Sequence, residues 1–334
     1  MILVTGAAGH LGNVLVRQLV SQGKKVRAMA LPGEDLSALA ELDVELVEAN
    51  VLDPQSLEKA MQGVEVVFHL AGIIAIMPGE EKLMQRVNVD GVRNVVTTAR
   101  KMGVNRLVHT SSIHAFKRLP HGMVVDESVP VAPDSPTGGY DRTKAEGTLE
   151  VLNAVKQGLD AVIVCPTGVI GPFDYRQSEL GQTILGFTKK GLQLLVDGAY
   201  DFIDVRDVAH GLISACEKGR TGEIYILSGS RVLVREIMQI VHELVGNRTP
   251  SLVLPFSVAE FAARFTEPFY RWAKRVPKFT RYSLKTIRDN SLFSHEKASR
   301  ELGHHPRPLR ESIADTLKWW RVGKGSEDKI NIGF

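Results

Sequence analysis

The sequence predicts an α/β protein: a doubly wound parallel sheet carrying a smaller C-terminal lobe. Two observations predict it. Short β-branched runs alternate with segments of helical period through the first half of the chain, and a glycine-rich turn joins the first run to the first helical segment. The runs Ile2–Thr5, Lys25–Met29, Val44–Val47, Val64–Leu70 and Arg106–Thr110 read as strands, and Leu11–Gln22, Pro54–Met61 and Lys82–Met102 as the helices between them. A sixth strand is expected at Ala161–Cys165, after a long helix from Tyr140 to Gly158. Strands that are apolar throughout, rather than alternating, belong to a parallel sheet covered on both faces.

After Pro166 the regularity breaks. Pro166, Gly168, Gly171 and Pro172 read as a loop, and the later strands are short: Gln193–Val196, Phe202–Asp204 and Glu223–Leu227. The expected division is a nucleotide-binding domain at 1–165 plus about 200–228, and a substrate-binding lobe at 166–199 plus 229–334. The tail Gly323–Phe334 is polar and carries no identifiable chemistry.

Composition narrows the function. With 44% hydrophobic and 24% charged residues, the 334-residue chain is neither disordered nor fibrous. A net charge of +3 demands no nucleic-acid partner. Cys165 and Cys216 form no CxxC pair and no zinc spacing, so no metal site or disulfide framework is expected and a reducing cytoplasm fits. No secretory leader is visible, and the apolar run Val64–Met77 is broken by Glu65 and His69, short of the roughly 18 residues that span a bilayer.

The turn Gly6-Ala-Ala-Gly9-His10-Leu11-Gly12 follows a strand and opens a helix. Glycines there allow a tight turn and a close approach of backbone to a pyrophosphate, and the helix N-terminus offers unpaired amides. The spacing Thr5-Gly6-x-x-Gly9-x-x-Gly12 resembles the opening of the extended short-chain dehydrogenase/reductase superfamily. Matches continue at Ala49-Asn50-Val51, His69-Leu70-Ala71-Gly72, Asn88-Val-Asp-Gly91 and Ser299-Arg-Glu-Leu-Gly303. The resemblance covers nearly the whole chain and implies a Rossmann fold, a nicotinamide cofactor and a small-molecule substrate. It places Gly6, Gly9, His10, Leu11, Gly12, Asn50, Val51, Leu70, Ala71, Gly72, Asn88, Ser111, Pro166, Gly168 and Val169 at the cofactor. Homodimers are common in the family, so a homodimer is expected. NAD and NADP both stay open: Met29-Ala-Leu-Pro32 offers neither acid nor base, Glu34 and Asp35 come late, and Arg27 comes early.

Tyr140 and Lys144 stand one helical turn apart and face the same way. A lysine cation there is expected to lower the phenol's pKa toward neutrality. A second such pair, Tyr270/Lys274, lacks the strand-end hydroxyls Ser111 and Ser112 that precede Tyr140, and is taken as incidental. The resemblance makes Ser112 the residue that polarises the reacting oxygen and gives Lys144 and Tyr140 cofactor contacts as well. His114 and His121 are candidates to line the substrate site, with solvated loop the favoured reading of each; His304 and His305 are read as surface, and Cys165 as core.

Two enzymatic functions compete. One is oxidoreduction of a carbonyl or alcohol on a small hydrophobic or phenolic molecule, as in dihydroflavonol reductase and 3β-hydroxysteroid dehydrogenase relatives. The other is sugar-nucleotide epimerisation or dehydration with tightly held NAD. Gly168 stands where the latter usually carry Asn, and Asp201–Asp204 is acidic where they carry Arg, which favours the reductase. Arg176 or Arg231 would be the phosphate ligands of the alternative. A dinucleotide-binding sensor without turnover is a third reading, opposed by the intact Ser112/Tyr140/Lys144 set. Residues 256–282 hold 8 of the 21 aromatics, with Phe261, Phe265, Phe269 and Trp272 on one helical face among six basic and two acidic residues. Core is the favoured reading, ahead of a substrate wall or a membrane-touching surface.

Overall fold

The computed structural model describes residues 1–74, 79–134, 139–261 and 281–322. The order through the first half is β1 (Ile2–Thr5), α1 (His10–Ser21), β2 (Val26–Ala30), β3 (Glu45–Glu48), α2 (Pro54–Ala60), β4 (Val66–His69), α3 (Glu81–Gln85), α4 (Gly91–Lys101), β5 (Arg106–Thr110), α5 (Gly139–Lys156) and β6 (Ala161–Pro166). Then come β7 (Gly168–Ile170), α6 (Glu179–Phe187), β8 (Gln193–Val196), β9 (Ala199–Asp204), α7 (Val205–Lys218), β10 (Ile224–Leu227), β11 (Ser230–Leu233), α8 (Val234–Val245) and β12 (Ser251–Leu254). Helices at Arg281–Arg288, Glu296–Leu302 and Leu309–Val322 follow.

A seven-stranded parallel sheet runs β10-β6-β5-β4-β1-β2-β3. The order reverses beside β1, and ligands bind at such a switch point outside the carboxyl ends of the strands. β6 is buried along its whole length, whereas the edge strand β3 is mostly exposed. One apolar core lies under α2, α4 and α5, and the other under α1 and α7. A third core joins α6 and α8 to the helix Leu309–Val322.

One expectation is refined and another corrected. Lys82–Met102 is helical as expected but not α throughout: a π turn at Arg86–Asp90 lies between α3 and α4. The wide turn lies against α5, where a side chain at Gly147 would stand 2.4 Å from the Asn88 carbonyl oxygen. The expected loop at 166–172 contains β7, which pairs in parallel with β9 from Gly168↔Phe202 to Ile170↔Asp204. Its β-branched Val169 and Ile170 suit a strand, and the glycine before them lies against the Tyr200 ring, where a Cβ would not fit. Phe256 packs with Val196, Ala259 and Leu284, and Phe261 is exposed. Phe265, Phe269, Trp272, Tyr270, Lys274 and the tail Gly323–Phe334 lie outside the described residues.

His69 and His109 sit side by side at the carboxyl ends of β4 and β5, their ring centroids 5.3 Å apart. Burial, reinforced by the Lys144 charge, pushes His69 down to about 3; burial and then the charges of His69 and Lys144 hold His109 well below its ordinary value. Both stay neutral in the folded protein while the unfolded chain protonates them near 6.5. Below that pH the unfolded state binds more protons, so stability falls as pH drops from 6.5 toward 3, by up to about 1.4 kcal/mol per pH unit for each ring. Urea unfolding between pH 7 and 4.5 should show this loss, and a double His69→Gln, His109→Gln variant should flatten it. An unchanged slope in the variant contradicts the assignment.

Candidate active site

β1 ends at Thr5, whose buried hydroxyl accepts hydrogen bonds from the amides of Leu70 (3.2 Å) and Ala71 (3.1 Å) and bonds His69 Nδ1 at 2.8 Å. This single oxygen fixes the end of β4 to the end of β1. The chain then turns through Gly6 at φ 68°. A Cβ on Gly6 would stand 2.9 Å from the Ala71 nitrogen, and one on Gly12 only 2.0 Å from the Gly6 carbonyl oxygen. The first helical bond of α1 runs from Asn13 N to Gly9 O at 2.9 Å. The amides of His10, Leu11 and Gly12 therefore have no carbonyl one turn behind them, and Gly9 supplies no side-chain cap. Backbone donors, a positive helix end and a floor without side chains fit a dinucleotide pyrophosphate.

The other predicted residues surround this turn. A Cβ on Gly72 would lie 3.3 Å from Asn88 Oδ1 and 3.9 Å from Lys144 Nζ, so these three converge. Asn88 is buried and acts as a clasp: Oδ1 accepts from the Ile73 amide at 2.8 Å, while Nδ2 donates to the Ile73 carbonyl at 2.9 Å and to Thr143 Oγ1 at 3.2 Å. Asn50 Oδ1 accepts from the Leu52 amide at 2.9 Å, and neighbouring Val51 lies against Gly91. His10 Nε2 bonds the Pro172 carbonyl at 2.9 Å, tying the turn to the segment after β7. Pro166 closes β6, and Gly168 and Val169 lie on β7. Ser111 Oγ is bonded to Thr148 Oγ1 at 2.6 Å.

At the carboxyl end of β5, Ser112 Oγ accepts from the His114 amide at 3.2 Å and hydrogen-bonds the Tyr140 side chain. Lys144 Nζ donates to the Thr110 carbonyl at 3.0 Å. The expectation that Lys144 lowers the tyrosine's pKa is not met. Burial raises the Tyr140 phenol well above its ordinary value, the Ser112 hydrogen bond acts against that, and the Asp141 charge adds to it. Burial likewise draws Lys144 down to about 8, and Cys165, a core residue as expected, up to about 12.

Of the groups packed around Tyr140, the sequence offered only His114 as a candidate lining residue. His114 is buried rather than on the surface: Nε2 bonds the Tyr200 hydroxyl at 2.9 Å, and its ring meets Tyr140 edge-on at 5.5 Å. Asp141, fully buried, accepts from Arg118 NH2 (2.6 Å) and from the Tyr282 hydroxyl (2.8 Å), with His114 Nδ1 at 3.1 Å. Burial opposes its charge, but the His114 and Arg118 contacts outweigh this and hold its carboxyl down at about 2. Arg118 also reaches Asp289, so residues after Arg281 are tied to the start of α5. No periodicity marks this cluster, because its members come from four separate segments. His304 too is buried, with Nε2 on the Ser228 carbonyl at 3.0 Å, whereas His121 and His305 are exposed as expected. Among the described residues no three His, Cys, Asp or Glu side chains gather as a metal site.

Fold and site define an NAD-binding enzyme of the Rossmann type. The sequence model of the NAD dependent epimerase/dehydratase family matches residues 2–228; the chain belongs to that family. It is 37% identical over 321 residues to sterol demethylase protein B of Methylococcus capsulatus, covering 96% of this chain and 98% of that one. It is 29% identical over 322 residues to the 4-hydroxy-2-methyl-3-oxo-4-farnesyl-3,4-dihydroquinoline-1-oxide ketoreductase of Stigmatella aurantiaca, covering 94% and 95%. Among solved structures, the dTDP-glucose 4,6-dehydratase DesIV of Streptomyces venezuelae, crystallised with NAD, superposes with a TM-score of 0.79 at 21% identity, covering 97% and 98%.

The Asp141 cluster generates a stability prediction. Asp141→Ala removes the fully buried carboxylate that Arg118, Tyr282 and His114 share, leaving the partly buried Arg118 with Asp289 alone as counter-ion, and should cost about 3 kcal/mol in urea unfolding. A loss under about 1 kcal/mol, the range of an exposed pair, contradicts this account.

Proposed function

We infer that the protein is an NAD-dependent oxidoreductase acting on the carbonyl, or the corresponding alcohol, of a small hydrophobic or phenolic molecule. The observation that carries this reading is the meeting of Ser112, Tyr140 and Lys144 at the carboxyl end of the parallel sheet, beside the glycine turn. The amides of His10, Leu11 and Gly12 would hold the pyrophosphate, Asn50 and Val51 the adenine, and Gly72, Asn88 and Lys144 the nicotinamide-side ribose. When bound, the cofactor supplies the hydride donor or acceptor.

The protein's own part is proton chemistry. Burial keeps the Tyr140 phenol protonated at neutral pH, which suits an acid that donates to a carbonyl oxygen as that oxygen gains charge. Ser112 offers a second hydrogen bond to the same oxygen. Lys144 remains charged at pH 7 and stands one turn along α5.

Other contacts support NAD and the reductase. Glu34 comes late in sequence, but its Oε2 accepts from the Leu31 amide at 2.8 Å, which turns the carboxylate back to the end of β2. Arg27 is taken up by Glu45 and by the carbonyls of Ala60 and Gln62. An acid at this point favours a ribose diol over a 2′-phosphate, although Arg176 pairs with Glu34 and shares its charge. A Cβ at Gly168 would stand 2.6 Å from the Tyr200 ring, leaving no room for the Asn of sugar-nucleotide enzymes. Arg206 is held by Asp204 and Asp315, and Arg231 bonds Ser291.

Native mass spectrometry of the purified protein, followed by NADH oxidation assays with a 3-oxoalkanoate, a 3-ketosteroid and a dihydroflavonol, tests the reading. The expected result is protein that binds NADH reversibly and turns over at least one of these ketones. Tightly retained, non-exchanging NAD with no ketone turnover, together with epimerisation or dehydration of a sugar nucleotide, would overturn it in favour of the alternative.

A further inference from the structure

Two segments far apart in sequence meet at the end of β2. One oxygen of Glu34 accepts from the Leu31 amide and the other pairs with Arg176, 142 positions along the chain. The carboxylate is thus held one hydrogen bond from the residue that follows β2, where the ribose of a dinucleotide lies in folds of this kind. The Glu34 side chain is 15% exposed and that of Arg176 49%, so the acid is largely covered while the guanidinium keeps access to solvent. The other two arginines near this point are committed elsewhere. Arg27 is taken up by Glu45 and two carbonyls. Arg17 donates to the Ala38 carbonyl at 2.9 Å and the Tyr175 hydroxyl at 3.2 Å, and lies 4.8 Å over the Phe173 ring.

The loop that delivers Arg176 is tied to the glycine turn and to α1. His10 Nε2 bonds the Pro172 carbonyl at 2.9 Å, and Asn13 Nδ2 donates to the Phe173 carbonyl at 3.1 Å. On its other side, the Phe173 and Tyr175 rings lie 6.0 and 5.1 Å from that of Trp319. Within the loop, buried Asp174 accepts from the Ser178 amide at 2.8 Å and the Ser178 hydroxyl at 2.7 Å. Phe173 and Gln177 take left-handed backbone, with φ of 66° and 51°, a conformation that persists only where neighbours enforce it. The loop therefore runs from a residue of the glycine turn to the acid at the end of β2. A guanidinium carried by so constrained a loop has less freedom to lose on meeting a ligand.

We propose that Glu34 and Arg176 together select the cofactor at the 2′ position of its adenosine ribose. The proposal rests on the cofactor placement of the oxidoreductase reading. With the pair intact, the carboxylate accepts from the ribose diol and its charge repels a 2′-phosphate, a repulsion that Arg176 blunts. Arg176 is a latent phosphate ligand. Once the carboxylate charge is removed, its planar fork of donors is free to meet a 2′-phosphate. Met29-Ala-Leu-Pro32 carries no cation for that task, so the determinant comes from the loop after β7.

Fluorescence titration of the full chain with NADH and with NADPH, after removal of any co-purified nucleotide, tests this by the ratio of the two dissociation constants. Wild type should prefer NADH. Glu34→Gln, which keeps an acceptor for the Leu31 amide, should raise NADPH affinity relative to NADH by about tenfold or more. Adding Arg176→Ala should erase that gain. Adding Arg176→Lys instead should keep part of it, because an ammonium retains the charge but not the fork. Arg176→Ala alone should widen the preference for NADH by about threefold or more, since the carboxylate then faces the phosphate unshielded. A ratio that Glu34→Gln leaves unchanged, or a gain that survives Arg176→Ala, would overturn the proposal while the oxidoreductase reading stands. Wild type that binds neither dinucleotide would overturn both. Binding is read without turnover, so failure of the ketone assays and failure of this selection are separate results.

Discussion

A Cβ on Gly147 would stand 2.4 Å from the carbonyl oxygen of Asn88, so α5 can lie against the π turn only through glycine. That backbone contact sets the depth of α5, and with it the two side chains that matter most. One helical turn toward the N-terminus, Lys144 reaches the Thr110 carbonyl at the end of β5; one turn further, Tyr140 meets Ser112. The same contact brings Thr143 to the Asn88 amide, and Asn88 in turn holds both backbone groups of Ile73. Helix, π turn and the segment after β4 are thereby locked together without relying on any long side chain, whose rotamers would cost entropy to fix.

Around this frame the site is strongly desolvated, and desolvation governs its electrostatics. It raises Tyr140, lowers Lys144 and keeps His69 and His109 neutral. The negative charge beside Tyr140, Asp141, is tolerated because Arg118, Tyr282 and His114 all supply donors to it. Those donors come from the turn after β5 and from the helix Arg281–Arg288, so the C-terminal part of the chain completes the wall beside the tyrosine.

The parallel sheet and the glycine turn were legible in the sequence because their causes are local. Continuous β-branched runs make buried strands, and glycines recur where backbone must approach backbone. The Tyr140/Lys144 pair was legible for the same reason, since a spacing of four puts both on one helix face. What was not legible depends on contacts distant in sequence. His114 reads as a loop histidine until Tyr200, 86 residues away, bonds its ring. His304 reads as surface until the Ser228 carbonyl is placed beside it. The π turn interrupts a segment whose helical period is sound, because tertiary packing against Gly147 overrides local preference. Glu34 lies too late in sequence for the ribose, yet folds back to the Leu31 amide. The strand β7 was hidden by its glycine and flanking prolines, and forms because β9 offers it a parallel partner.

The central claim is that Tyr140 supplies the proton while other groups hold the cofactor. The most direct measurement is a Tyr140→Phe substitution read twice, by NADH binding and by single-turnover hydride transfer to a ketone that the wild-type protein accepts. The account predicts an NADH dissociation constant within about twofold of wild type and a transfer rate lower by roughly 10²–10⁴. Unchanged hydride transfer in the variant would contradict it and leave the buried phenol a structural role alone.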